Sequence, residues 1–482
     1  MIDTSIIRGK LLYLYEKYNQ LTTQSIINFI AQILINLFNI FLFFYISKIF
    51  SNYELSTFLY VTAICRIFTF LFDGGFNQLI LSEFNKVRFK KSLIKIFFLR
   101  NTISILIIFF IYLFFSSSGY LSKFELNTFI FLIFFYLNNE NLNYFFSIVM
   151  SINKNLLIVY SRLIFLISAF LIFFIDLSFE QIVIYLTISN FLPLIFIFTS
   201  SYLILNKENL NISTLSYNEI YKIFIFYSSF LILSKGIGEI NSNVDVIFIK
   251  NLTNEFLTSL YGLILKINQI SLIPHMLLGS MILPYFAGIK SRRKKIVNLY
   301  ELRFIHINAI YIFAVIIIPI SCISSNYLSQ FKFNLVNFET ILMFNLLICF
   351  LISLSFHFQQ LLIADRKYFQ LFVISLVALL VNLSLNFILI KMFHIYGAMI
   401  TSILSYLIIY LLYARLIKSF SDISQILIND LKKYLYIFLL IIIYFIFSIY
   451  FNSLFIYLFI SSNVLFFIIF TYNFFKKPLI IK

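Results

Sequence analysis

The stretch LIKIFFLRNTISILIIFFIYLFF, residues 93–115, decides the architecture. Coiled as an α-helix at 1.5 Å per residue it reaches about 35 Å, enough to cross a hydrocarbon core of about 30 Å, and its only charged side chains are Lys95 and Arg100. Runs of the same kind fill the chain. Those before it span 22–46 and 55–81, and those after it 126–150, 156–175, 181–205 and 223–249. The second half continues at 256–285, 302–323, 338–363, 369–390, 395–414, 434–450 and 454–473. Barrel strands would alternate in segments of about ten residues, whereas these runs are continuous, so only helices satisfy their backbone groups in lipid. Composition agrees: 62% of the 482 residues are hydrophobic and 11% are charged, which excludes a soluble multidomain protein. The expected fold class is an all-α polytopic membrane protein of about 14 transmembrane helices.

Charge orients it. Short loops rich in Lys and Arg stay cytoplasmic. The N-terminal tail and every second loop after it carry most of the 36 cations, the alternate loops hold only Lys48, Lys123, Lys250, Lys332 and Lys391, and Arg66, Arg100, Lys235 and Lys266 fall inside runs. Both termini are therefore expected in the cytoplasm, with no cleaved signal peptide. Scarce alanine and glycine beside abundant Phe, Ile, Asn and Lys suggest the drift of an AT-rich bacterial genome, and with it a bacterial cytoplasmic (inner) membrane. The net charge of +17 is read as this topology signal, so no nucleic-acid partner is called for. The cluster Lys290, Arg292, Arg293, Lys294 and Lys295 can also touch anionic lipid headgroups. Tryptophan is absent, so the 32 tyrosines must supply the interfacial belts. Loops are short, and the longest external one spans 324–337, which leaves no room for an extramembrane catalytic domain. Cys65, Cys322 and Cys349 are scattered through hydrophobic runs, and His275, His306 and His357 show no metal spacing, so neither metal nor cofactor is expected.

An internal likeness divides the chain. Displaced by 202 residues, Lys48, Ser51, Asn52 and Leu55 fall opposite Lys250, Thr253, Asn254 and Leu257, six runs apart. Two pseudo-symmetric six-helix lobes plus two C-terminal helices follow, with a substrate between the lobes. The expected divisions are a tail (1–21), an N-lobe with its linker (22–222), a C-lobe (223–417), a linker with two helices (418–473) and a second tail (474–482).

Polar residues inside the runs carry the functional signal, because an ionised group at the bilayer centre costs at least about 2.5 to 3.5 kcal/mol. Arg100 and Arg162 lie about two turns from run ends, where snorkelling suffices. Arg66, Lys235 and Lys266 lie about 15 to 18 Å deep at 1.5 Å per residue and cannot easily snorkel. A central cationic cavity is one reading. Internal pairing, Lys235 with Glu239 and Arg66 with Asp73, is the other. Gln24, Asn28, Gln32, Asn36 and Asn39 share one face of the first run, and Thr62, Arg66, Thr69, Asp73 and Asn77 share one face of the second. Two such stripes suggest a hydrated lumen, with hydrogen bonds in a dry bundle as the alternative. Asn138, Asn139, Glu140, Asn141 and Asn143 interrupt the fourth run, which suggests a local break there. Glu140, Glu239 and Asp245 are the candidate coupling acids. Gly236 and Gly238 read as a bend, and Pro274, Pro284 and Pro319 as kinks or hinges.

Several stretches resemble the Wzx-type polysaccharide flippases of the multidrug/oligosaccharidyl-lipid/polysaccharide exporter superfamily. They are FFYISKIFSNYEL (43–55), DGGFNQLILSEFN (73–85), the segment around Asp245 through Lys266, LLIADRKYFQ (361–370), VNLSLNFIL (381–389) with Asn382 and Asn386, and YGAMITSILS (396–405). The family's loop glycines are mostly replaced here, by Asn52 for example. The resemblance implies a flippase that turns an undecaprenyl-diphosphate-linked oligosaccharide from the cytoplasmic to the outer leaflet by alternating access, with H⁺ or Na⁺ as coupling ion and a polysaccharide polymerase complex as partner. The alternatives are a multidrug exporter of the same superfamily and, behind it, an O-antigen polymerase-type glycosyltransferase.

Overall fold

The computed structural model describes residues 34–35, 38–39, 41–43, 45–73, 75–77, 80, 87–152, 154, 156–175, 177–207, 214–222, 229–272, 289 and 338–418. Every described element is helical. In chain order the helices are α1 (Asn52–Asp73), α2 (Val87–Ser118), α3 (Lys123–Ser151), α4 (Leu156–Phe170, extended by a 3₁₀ turn Leu171–Phe174), α5 (Phe179–Ser189) and α6 (Phe191–Lys207). They continue as α7 (Tyr217–Lys222), α8 (Ser229–Leu252), α9 (Glu255–Ser271), α10 (Phe338–Ala364), α11 (Tyr368–Phe393) and α12 (Ile395–Lys418). Among the described residues, 7 spans are long and apolar enough to cross a membrane. The chain is a multi-pass, all-α membrane protein. The expected runs at 302–323, 434–450 and 454–473 lie outside the described residues, as do Gln24, Asn28, Gln32, Asn36, Pro274, Pro284 and Pro319.

The expected helices and the observed ones coincide in most places and differ where polar side chains intervene. α1 stops at Asp73, ahead of the expected 81, and Gly75 follows with φ 71°, the left-handed conformation that commonly closes a helix at a glycine. The run 181–205 is two helices, meeting at Asn190. Pro193 explains the junction: with no N–H to give, it leaves the Ser189 carbonyl without its helical donor, and Ser168 Oγ takes that place at 3.3 Å. α3 runs unbroken through Asn138–Asn143, so the expected break is absent. Its amides bond to other helices, Asn141 to Asn101 at 2.8 Å and Asn139 with Asn190 at 3.0 Å, and so do not compete with the backbone. α8 likewise continues through Gly236 and Gly238. Gly236 is a point of close approach, since a Cβ there would sit 2.8 Å from the Phe70 ring, whereas Gly238 faces open space.

Two sets of helices meet along one seam. α3 packs with α1, α4, α5 and α6 in the N-terminal half, and α10, α11 and α12 pack together in the C-terminal half. The substantial contacts between the halves, among the described helices, are those of α1 with α8 and α9. α1 and α8 run antiparallel. Ser56 meets Lys250 (2.9 Å) at one end, Phe70 lies against Gly236, and Asp73 meets Lys235 (2.9 Å) near the other. The two stretches paired by the 202-residue displacement touch each other here, since Ser259 Oγ also donates to the Asn52 carbonyl at 3.4 Å. A buried core centred on Leu59, Val61, Cys65 and Phe72 joins α1 to Phe129 and Ile133 of α3 and to Ile249 and Leu263 across the seam. α2 is the opposite case. Phe98, Leu106, Phe109, Phe110 and Phe114 are exposed along it, and an apolar face of that extent belongs against lipid.

Candidate functional site

Three polar constellations are built into this framework. The first is a cavity of about 280 Å³ in the N-terminal half, walled by α1, α3, α4, the α5–α6 junction and the segment before α1, with α9 reaching in from the other half. Arg66, Arg162 and Lys266 line it together with Asn39, Thr62, Asn139, Asn143 and Asn190, and no carboxylate is among the described residues of its wall. Arg66 Nε donates to the Tyr136 hydroxyl at 3.3 Å, and its guanidinium carbon lies 5.9 Å from the centre of that ring. Arg162 lies 5.5 Å from the centre of the Phe146 ring. The expected pairing of Arg66 with Asp73 is not made. The two are two turns apart on one helix, about 10 Å along the axis, which is beyond side-chain contact.

The second constellation straddles the seam. Lys235 of α8 reaches into the other half, its Nζ 2.9 Å from Asp73 Oδ2 and 3.4 Å from Glu140 Oε2. Asn77 completes it, giving its side-chain amide to Glu140 and its backbone N–H to Asp73, both at 3.3 Å. So the structure divides the three deep cations. Arg66 and Lys266 share the cavity, and Lys235 is bound by two carboxylates from other helices, neither of them Glu239. Arg100 lies beside this cluster and does not snorkel: it is buried, donates to Asn141 Oδ1, and stacks 4.6 Å from the centre of the Tyr144 ring. Helix α2 begins at Val87 and not at residue 93, which puts Arg100 about 20 Å from its start, too far to reach the surface.

The third constellation surrounds Asp245. Tyr261 and Ser402 hydroxyls donate to its Oδ2 at 2.9 and 2.7 Å, and Asn386 donates to its Oδ1 at 2.6 Å. Asn386 also bonds Asn382 at 2.7 Å. Asp245, Asn382 and Asn386 are buried, and four helices, α8, α9, α11 and α12, contribute to the cluster. The sequence marked Asp245, Asn382 and Asn386, but Tyr261 and Ser402 carried no mark, since a hydroxyl in a long apolar run looks like any other. A second cavity, of about 250 Å³, opens in the same half beside Lys235 and Glu239, with Gln359, Tyr406 and Tyr413 in its wall.

No family model matches the chain, and no curated protein matches it. Solved structures do. A point mutant of the Vibrio cholerae MATE transporter VcmN superposes with a TM-score of 0.57 at 12% identity, over 84% of this chain and 97% of that one. The MATE multidrug transporter DinF-BH, in a ligand complex, gives a TM-score of 0.60 at 15% identity, over 84% and 96%. An outward-facing MATE family multidrug transporter of the MOP superfamily gives 0.57 at 11%, over 84% and 97%. At such identities the likeness concerns the backbone path: the chain has the fold of the MATE transporters.

Proposed function

We propose that this protein is a flippase for lipid-linked oligosaccharides, carrying an anionic diphosphate headgroup past the bilayer centre by alternating access between its two halves. The observation that carries the reading is the N-terminal cavity, where Arg66 and Lys266 meet amides and a tyrosine with no described carboxylate in the wall. A diphosphate leaving water needs that arrangement, because charge-assisted hydrogen bonds to cations replace its hydration. The amides suit sugar hydroxyls, and the lipid tail stays among membrane lipids. With both termini cytoplasmic, each negative charge moved outward gains roughly 2.3 kcal/mol per 100 mV of negative-inside potential. Asp245, ringed by hydroxyls and amides in the C-terminal half, is the coupling site in this scheme: its carboxylate and the same oxygens can hold H⁺ or Na⁺.

A second reading keeps one observation in its favour. The C-terminal cavity joins Glu239 to Tyr406 and Tyr413, an acidic and aromatic surface of the sort an organic cation would use, and that is the chemistry of a multidrug exporter.

Binding of farnesyl diphosphate to the purified protein separates the two. Arg66→Ala and Lys266→Ala are each expected to weaken it about tenfold and the double variant about a hundredfold. A double variant that elutes as wild type and binds with unchanged affinity removes the flippase reading.

A further inference from the structure

The cavity wall is polarised along α3. Tyr136, Asn139, Asn143 and Phe146 all line it, and their spacing of three, four and three residues puts them on one face of that helix. Both ends of this stripe carry positive charge, more at one than at the other. Arg66 is held at the Tyr136 end, and Lys266 lines the same cavity from α9. Arg162 packs on Phe146 at the other end. Ten residues separate those two rings, about 15 Å along the helix axis. A diphosphate, two phosphorus atoms sharing one bridging oxygen, is much shorter than that interval, so one seated at the Tyr136 end leaves Arg162 facing a different part of the cargo. Between the ends the wall offers amides. Asn139 is held by Asn190, whose side-chain amide donates to its oxygen at 3.0 Å, and Asn143 is exposed into the cavity.

We propose that this stripe is a glycan track and that Arg162 recognises a negatively charged substituent on the sugar chain, so that the preferred cargo is a lipid diphosphate bearing an acidic sugar. The inference rests on the flippase reading and narrows its substrate class. Two cations, Arg66 and Lys266, match a diphosphate diester, which carries two negative charges. The third cation stands a glycan's length away on the same cavity wall, where a guanidinium meets whatever the far end of the sugar chain presents. The substituent is a carboxylate or a phosphate; both offer oxygen pairs to a guanidinium fork in the same way.

Three probes test it on the full-length protein in detergent: farnesyl-diphosphate-linked disaccharides ending in glucose, in glucuronic acid or in glucose 6-phosphate. Wild type is expected to bind the two acidic probes about tenfold more tightly than the neutral one, the effect of one charge-assisted contact. Arg162→Gln is expected to erase that difference without changing affinity for the neutral probe, and Arg162→Lys to retain part of it. Preference for one acidic probe alone supports the proposal and identifies the substituent. Equal affinity of wild type for all three, or an equal loss for all three in Arg162→Gln while Arg162→Lys binds as wild type, overturns the glycan track and leaves the diphosphate site standing. Failure of all three probes to bind overturns both.

Discussion

Lys235→Ala is expected to cost the folded protein about 3 kcal/mol or more, seen as a large fall in its thermal midpoint in detergent. Asp73 is almost fully buried, with 1% of its side chain accessible, and Glu140 has 11%. Removing the ammonium leaves the carboxylates of α1 and α3, both on the N-terminal side of the seam, facing each other without the lysine that sits against both, and like charges in a poorly hydrated site repel strongly. Asp73→Asn should do less, because Lys235 keeps Glu140 at 3.4 Å. Exchanging the pair, Lys235→Asp with Asp73→Lys, should recover part of the loss, since the new lysine would lie between the new aspartate and Glu140. Midpoints equal to wild type in Lys235→Ala would mean that the two halves are not held by this contact.

Asp245→Ala should have a comparable effect in the C-terminal half, and for a different reason. Here nothing is left charged; three donors are left without an acceptor. The hydroxyls of Tyr261 and Ser402 and the amide of Asn386 all point at the carboxylate, and each unsatisfied buried donor costs about 1 to 3 kcal/mol. Asp245→Asn is expected to fall between the two, because an amide offers one acceptor oxygen where the carboxylate offers two. The same variants bear on coupling. If Asp245 holds the coupling ion, transport by Asp245→Asn should lose its dependence on the H⁺ or Na⁺ gradient while cargo binding in the other half stays as it was. Gradient dependence that survives in Asp245→Asn would locate coupling elsewhere.

The helices are legible in the sequence because a membrane demands long apolar runs, and their ends are misread where polar residues blur the hydropathy. Lys90, Lys91 and Ser92 hide the first turn of α2, which is why Arg100 looks close to the surface. Pro193 is visible in the interior of a run and, taken by its own chemistry, marks the α5–α6 junction. The charged residues are legible as candidates but not as partners. Spacing along one helix suggests Glu239 for Lys235 and Asp73 for Arg66, whereas the ion pair that forms joins α8 to α1 and α3. Such pairs depend on which helices lie side by side, and the pattern within a run does not encode that. Depth alone makes Arg162 a snorkelling residue. Its place in the cavity comes from α4 packing beside α3, again a tertiary fact.

Reconstituted transport tests the central claim most directly. Proteoliposomes holding the purified protein would be given a fluorescent short-chain polyprenyl-diphosphate disaccharide in one leaflet and, separately, a lipophilic cationic dye. The cationic cavity calls for the diphosphate to cross at a rate that falls sharply in the Arg66→Ala, Lys266→Ala double variant, with the dye excluded throughout. Transport of the dye without movement of the diphosphate lipid, unaffected by that double variant, would contradict it.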